Sequence, residues 1–186
     1  MTINEAQRDV RTAFLGGFAG QLVSSLIWFA SASLATWYSV KAGILMLVAG
    51  GFFIFPLTLL VLRAMGRPGG LPKGHPMNTL GMQVAFTLPP NLLLVAAATM
   101  VHLNWFYPAV MIALGSHYFP FIFQYGMWEF GVLAGILIGA GYVIGTQVPA
   151  GFSLGGWVTA LTLLVFAFVL RSGALRRAQL PSAAAT

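Results

Sequence analysis

Glu129 is the sole acid beyond the first nine residues, and His117 lies twelve positions before it, inside a long apolar stretch. A His and a Glu brought together in a low-dielectric setting can share or relay a proton, or help hold a cation. Asn91 follows Pro89 and Pro90, where the missing backbone donors free carbonyls and the Asn amide offers both a donor and an acceptor. Gln21 begins a polar stripe with Ser24, Trp28 and Ser31 at three- and four-residue steps, and Ser25 stands beside it. The stripe reads as the wall of a polar cavity or as a seam between helices; Gly16, Gly20 and Ser24, a small-xxx-small series, favour the seam.

These groups are conspicuous because so little else is polar. Of 186 residues, 59% are hydrophobic and 6% charged, against roughly a quarter charged in a soluble domain, and the mean hydropathy is +0.88. Lipid is the solvent such a chain requires. An ionised group in hydrocarbon costs about 2.5–3.5 kcal/mol on insertion scales, so each one needs a partner or a purpose. Backbone groups in the bilayer core must bond internally, and the apolar runs lack a barrel's alternation, so the fold class is all-α: a polytopic membrane helical bundle.

Apolar windows of the ~20 residues a bilayer needs give about six transmembrane spans, near Ala13 to Thr36, Ala42 to Leu62, Thr79 to Met100, Trp105 to Phe123, Phe130 to Val148 and Leu154 to Leu170. The domain plan is a cytoplasmic segment 1–12, a membrane domain 13–171 and a cytoplasmic tail 172–186, frayed after Arg171. Arg63 to Met77, rich in Gly and Pro, reads as the one long loop. On this count His117 lies about six residues, or ~9 Å, before the inner end of the fourth span. Glu129 opens the fifth after a turn containing Gly126, so the two are expected to approach across that hairpin.

Orientation follows from the cations. Arg8 and Arg11 precede the first span, Arg63, Arg67 and Lys73 fall between the second and third, and Arg171, Arg176 and Arg177 follow the sixth, leaving only Lys41 on the other side. That distribution predicts both termini in the cytoplasm. The net charge of +6 is therefore assigned to membrane topology and not to nucleic-acid binding, for which no basic run with exposed aromatics exists. Trp37, Trp105 and Trp128 fall at predicted interfaces.

MLVAGGFFIFP from Met46 aligns without a gap on VMIALGSHYFP from Val110, matching Gly51 with Gly115 and Pro56 with Pro120. The match suggests tandem two-helix hairpins, with His117 standing where the earlier copy has Phe53. Gly131, Gly135 and Gly139 form two successive GxxxG steps, a helix-packing signal and a candidate surface for a homo-oligomer.

Zero cysteines exclude disulfides and thiolate metal sites. His75 and His102 fall outside the spans with no HExxH motif, so no metal is assigned and the cofactor is unknown. The leading functional reading is binding or transport of a small or hydrophobic solute or an ion within the bundle, near His117, Glu129, Asn91 and Gln21, with the bilayer and a small-molecule or lipid ligand as expected partners. An intramembrane enzyme acting on a lipid-like substrate, with His117 and Glu129 as an acid/base pair, is one alternative, and a structural or sensory subunit is another.

The segment GSHYFPFIFQYGMWEFGVLAG, the opening NEAQRDVRTAFLGG and the loop RAMGRPGG resemble a family of uncharacterised bacterial small multi-pass membrane proteins. The resemblance implies residence in a bacterial inner membrane. That family has no assigned activity, so no functional residue is carried over.

Overall fold

A computed structural model describes residues 1–149 and 151–179. Its helices are α1 (Ile3–Phe14), α2 (Phe18–Trp37), α3 (Val40–Ala64), α4 (Pro76–Ala85), α5 (Leu88–Val101), α6 (Phe106–Tyr125), α7 (Glu129–Thr146) and α8 (Leu154–Gln179). Among the described residues there is no strand. Six helical stretches are long and apolar enough to cross a membrane, with α4 and α5 together making the third.

Packing is uneven, as expected where lipid and not water surrounds the bundle. α2 lies along both α3 and α8, while α6 packs most extensively on α7 and less on α5. The closed core contains Trp28, Tyr107, Met111, Phe130, Leu133, Leu137, Leu163 and Leu170, all buried. α3 and α5 flank it and turn Leu45, Phe52, Phe53, Leu93, Leu94 and Met100 outward. Such large exposed apolar residues are a liability in water and the normal lipid-facing surface of a membrane span.

Glycine decides where helices touch. Side chains added at Gly115 and Gly141 would meet the backbone carbonyls of Ala134 and Pro108, so these two residues set the close α6–α7 approach. Gly131 meets only Ile122, and Gly135 and Gly139 meet nothing within 4 Å, leaving that α7 face open. The matched glycines of the sequence repeat sit in different surroundings: Gly115 is pressed onto α7, whereas Gly51 has no neighbour within 4 Å.

Three boundaries differ from the sequence reading. Residues 3–14 of the N-terminal segment form a helix of their own, opened by a capping box in which Thr2 accepts from the Glu5 N–H and Glu5 accepts from the Thr2 N–H. α1 buries Ala6, Val10 and Ala13 on one face and is cut off from α2 by Leu15, Gly16 and Gly17, all at positive φ. At Gly16 a side chain would also collide with Ala174 and the Leu170 carbonyl of α8, so glycine is required there twice over. The third span breaks at Phe86–Thr87, before the prolines. Pro89 and Pro90 then occupy the first turn of α5, where an N–H has no intrahelical partner to lose. Finally, α8 continues through Gln179 instead of fraying after Arg171, because Ala174, Leu175, Ala178 and the arginines favour helix and Arg177 is anchored. Residues 180–186 of the expected tail lie outside the described residues.

Candidate functional site

Three arginine-bearing segments, far apart in the chain, meet at one end of the bundle. Each is placed by local chemistry. On α1, Gln7 Nε2 donates to the Phe123 carbonyl at 2.6 Å and Arg11 donates to the Tyr125 carbonyl at 2.6 Å. One turn of α1 thus caps the carbonyl end of α6, where a cation also suits the helix dipole. Arg8 lies one turn before Arg11 on α1 and Thr12 directly after it, and the Thr12 hydroxyl donates to the Arg8 carbonyl.

Arg67 arrives through the end of α3. The Gly66 N–H donates to the Arg63 carbonyl and the Arg67 N–H to the Leu62 carbonyl, with Gly66 at φ +70°. This paired-bond helix ending needs a left-handed residue at that position, and it turns the chain so that Arg67 comes back to the bundle end. α8 supplies the rest. Arg171 sits 5.1 Å above the Phe18 ring, a cation–π contact. Arg177 grips Glu129 with both guanidinium nitrogens, at 2.7 and 2.9 Å.

Arg8, Arg11, Thr12, Arg67, Arg171 and Arg177 line a cleft of about 150 Å³, with Leu15, Ala174, Leu175 and Ala178 as its apolar wall. Among the described residues, the Arg177–Glu129 contact is the only arginine–carboxylate pair. Five guanidiniums thus face one carboxylate. Burial, then the charges of Arg177 and Arg8, hold the Arg11 pKa below its usual value. An anion in the cleft would relieve that repulsion and find planar donors suited to phosphate or carboxylate.

The residues singled out by sequence separate into three places. Glu129, buried at the start of α7, belongs to the arginine cleft through Arg177. His117 and Asn91 converge on Thr87 at the break between α4 and α5: the Asn91 amide donates to the Thr87 carbonyl at 2.9 Å, and His117 Nδ1 lies 3.2 Å from Thr87 Oγ1. Since the Thr87 hydroxyl proton goes to the Val84 carbonyl, its oxygen accepts, which assigns the His117 proton to Nδ1 and leaves Nε2 as an acceptor. Gln21 Oε1 accepts from the Tyr118 hydroxyl at 2.9 Å, inside the core.

The expected approach of His117 to Glu129 does not form. Glu129 on the first turn of α7 faces α8, while His117, more than two turns back from the end of α6, faces α4 and α5; their hydrogen bonds run to Arg177 and Thr87. The stripe on α2 is a seam, as its small residues favour. Ser25 donates to the Ala160 carbonyl of α8 at 2.9 Å and Ser31 to the Gly43 carbonyl of α3 at 2.8 Å. With the Ser31 proton so committed, Tyr107 donates its own to Ser31 Oγ at 2.6 Å.

At the opposite end, a cavity of about 310 Å³ opens between the α5–α6 and α7–α8 connections, lined by His102, Asn104, Trp105, Thr146, Gln147 and Phe152 among others. His102 stacks on Trp105, whose indole donates to the Gly145 carbonyl.

Sequence reasoning read the arginines only as an orientation signal and missed Gln7 entirely. Their shared side was legible from an even number of spans. Their convergence was not, because it depends on how α1 docks and how α3 ends.

No curated protein and no solved structure matches the chain. A family profile does, over residues 3–172, nearly the whole of the bundle just described. The chain belongs to DUF7010, a family of unknown function.

Proposed function

We propose that this multi-pass membrane protein binds a phosphate-class anion in the cleft between α1, the α3–α4 loop and α8. We place that end on the cytoplasmic side of a bacterial inner membrane. The observation that carries the reading is the meeting of five arginines with a single carboxylate. Basic loops orient many membrane proteins, but topology alone requires only that cations share a side; it does not gather residues 8, 67 and 171 around one concavity. Glu129 fixes Arg177 and so acts here as a positioning residue, not as an acid or base.

The test is thermal unfolding of the purified protein in an uncharged detergent, titrated with inorganic phosphate against chloride at matched ionic strength. Phosphate is expected to raise the midpoint by stabilising the folded form; a ligand at ten times its Kd contributes about 1.4 kcal/mol. Arg8→Gln with Arg67→Gln should abolish the rise, because among the described residues these two side chains make no hydrogen bond or ion pair and are open to a ligand. Equal midpoints in phosphate and chloride would reject the anion reading.

A second reading is passage of an ion or small solute along the bundle, near His117, Asn91 and Gln21. Its support is the mid-span break with His117 and Asn91 gathered on Thr87, since broken helices at membrane depth build sites in transporters. Flux in proteoliposomes that is unchanged by His117→Ala and Asn91→Ala would remove it. An enzyme using His117 and Glu129 as an acid/base pair draws no support from this geometry.

A further inference from the structure

We propose that the anion is the headgroup of a negatively charged glycerophospholipid, with an acyl chain lying against one stripe of α8. This rests on reading the arginine cleft as an anion site and names the source of the anion.

Leu161, Val165, Phe168 and Leu175 are each about half exposed, at 54, 58, 53 and 48%. Their spacing of four, three and seven places them along a single helical face. That face leads into the cleft, because Leu175 lines it. Arg171 stands at the edge of the stripe, three residues after Phe168 and four before Leu175, so cation and apolar track are side by side. Beneath it the Phe18 ring takes the Arg171 guanidinium on its face and meets Phe168 edge-on at 5.6 Å between centroids. An apolar floor continuous with lipid-facing residues serves no purpose for a soluble anion. It is what the glycerol and upper chain of a lipid require.

Depth agrees. From Leu154 to Arg171 the helix rises ~26 Å, which places the guanidinium near the far edge of a hydrocarbon core ~30 Å thick, at headgroup level. From Arg171 back to Leu161 is ~15 Å, half that core and the depth reached by one leaflet's chains. The cleft's size agrees too. About 150 Å³ is below the roughly 300–1,000 Å³ of pockets that enclose a drug-sized ligand, so a phosphodiester fits where a whole nucleotide does not. Zwitterionic lipids bring a cation with their phosphate, and among the described residues lining the cleft there is no carboxylate to receive it; a lipid with net negative charge is therefore preferred.

The experiment compares three additions to the purified protein in uncharged detergent: phosphatidylglycerol, phosphatidylcholine of the same chains, and sn-glycerol 3-phosphate. Unfolding midpoints are read for the wild type, Arg8→Gln, Arg8→Gln/Arg67→Gln and, as a control at the other end, Lys41→Gln. Phosphatidylglycerol is expected to raise the wild-type and Lys41→Gln midpoints by roughly 5 °C at saturation, with little effect from phosphatidylcholine and a reduced rise in both arginine variants. Should the double variant fail to fold, the single exposed substitution still carries the comparison. A rise with glycerol phosphate matching that of the lipid, or equal rises with the two lipids, would overturn the lipid assignment; in the first case the anion reading survives. No response to either anion would reject the anion reading itself.

Discussion

Arg177 holds Glu129 through both carboxylate oxygens, at 2.7 and 2.9 Å, and so ties the first turn of α7 to the last turns of α8. The Glu129 side chain is 8% exposed and that of Arg177 25%. Removing one partner strands the other in a dry place, which costs about 3–5 kcal/mol when both are fully buried. With Arg177 partly wet, Glu129→Gln is expected to cost about 2–3 kcal/mol. Chemical unfolding in detergent measures it, and Glu129→Gln combined with Arg177→Met should recover part of the loss. Additive single effects in that double-mutant cycle would show that the pair is not coupled.

Gln7 reaches from α1 to the Phe123 carbonyl. Gln7→Ala should cost about 1 kcal/mol, the net worth of one such bond. The effect should be local, with faster amide hydrogen exchange in α1 while the α2–α8 contact keeps its protection. Unchanged exchange in α1 would mean that Arg11 and the Ala6–Val10–Ala13 face suffice to dock it.

Pro89 and Pro90 sit in the first turn of α5. Replacing either with Ala is expected to change stability by less than about 1 kcal/mol, in contrast to the ~3 kcal/mol associated with a proline in a helix interior. A large change would place the break at the prolines themselves and not at Phe86–Thr87.

Glycine substitutions should divide by location. Gly16→Ala meets both a positive φ and the α8 backbone, and a loss above about 2 kcal/mol is expected. Gly135→Ala and Gly139→Ala meet no neighbour within 4 Å and should leave the monomer's unfolding midpoint alone. If copies of the chain associate through that α7 face, Gly135→Leu with Gly139→Leu will shift the mass measured by light scattering toward the monomer. An unchanged mass would remove that face from any assembly.

The six spans were legible because composition leaves a chain so poor in charge no other solvent, and the helices come from the lack of backbone partners in lipid. Details set by tertiary contacts were not. The α4–α5 break lies two residues before Pro89, since prolines tolerate a helix start and reject its interior, and the sequence shows only that a disturbance is near. The extension of α8 past Arg171 was hidden because a helix end rich in arginine and alanine reads equally well as a loose tail. For His117 and Glu129, a separation of twelve residues across a turn says nothing about which faces of α6 and α7 they occupy. Packing at Gly115 and Gly141 decides that, and it turns the two side chains toward different helices.

The contact of α2 with α8, sealed by Ser25 on the Ala160 carbonyl, joins the first and the sixth of the described spans. α2 and α3 can pair as soon as both have left the ribosome, but the opposite flank of α2 waits for residue 160 and beyond to be made. Until then Ser25 has no carbonyl from α8, and the arginine cleft lacks two of its five cations. A chain cut short before Leu154 would keep five of the six spans and no closed bundle. α8 thus completes both the core and the basic cleft.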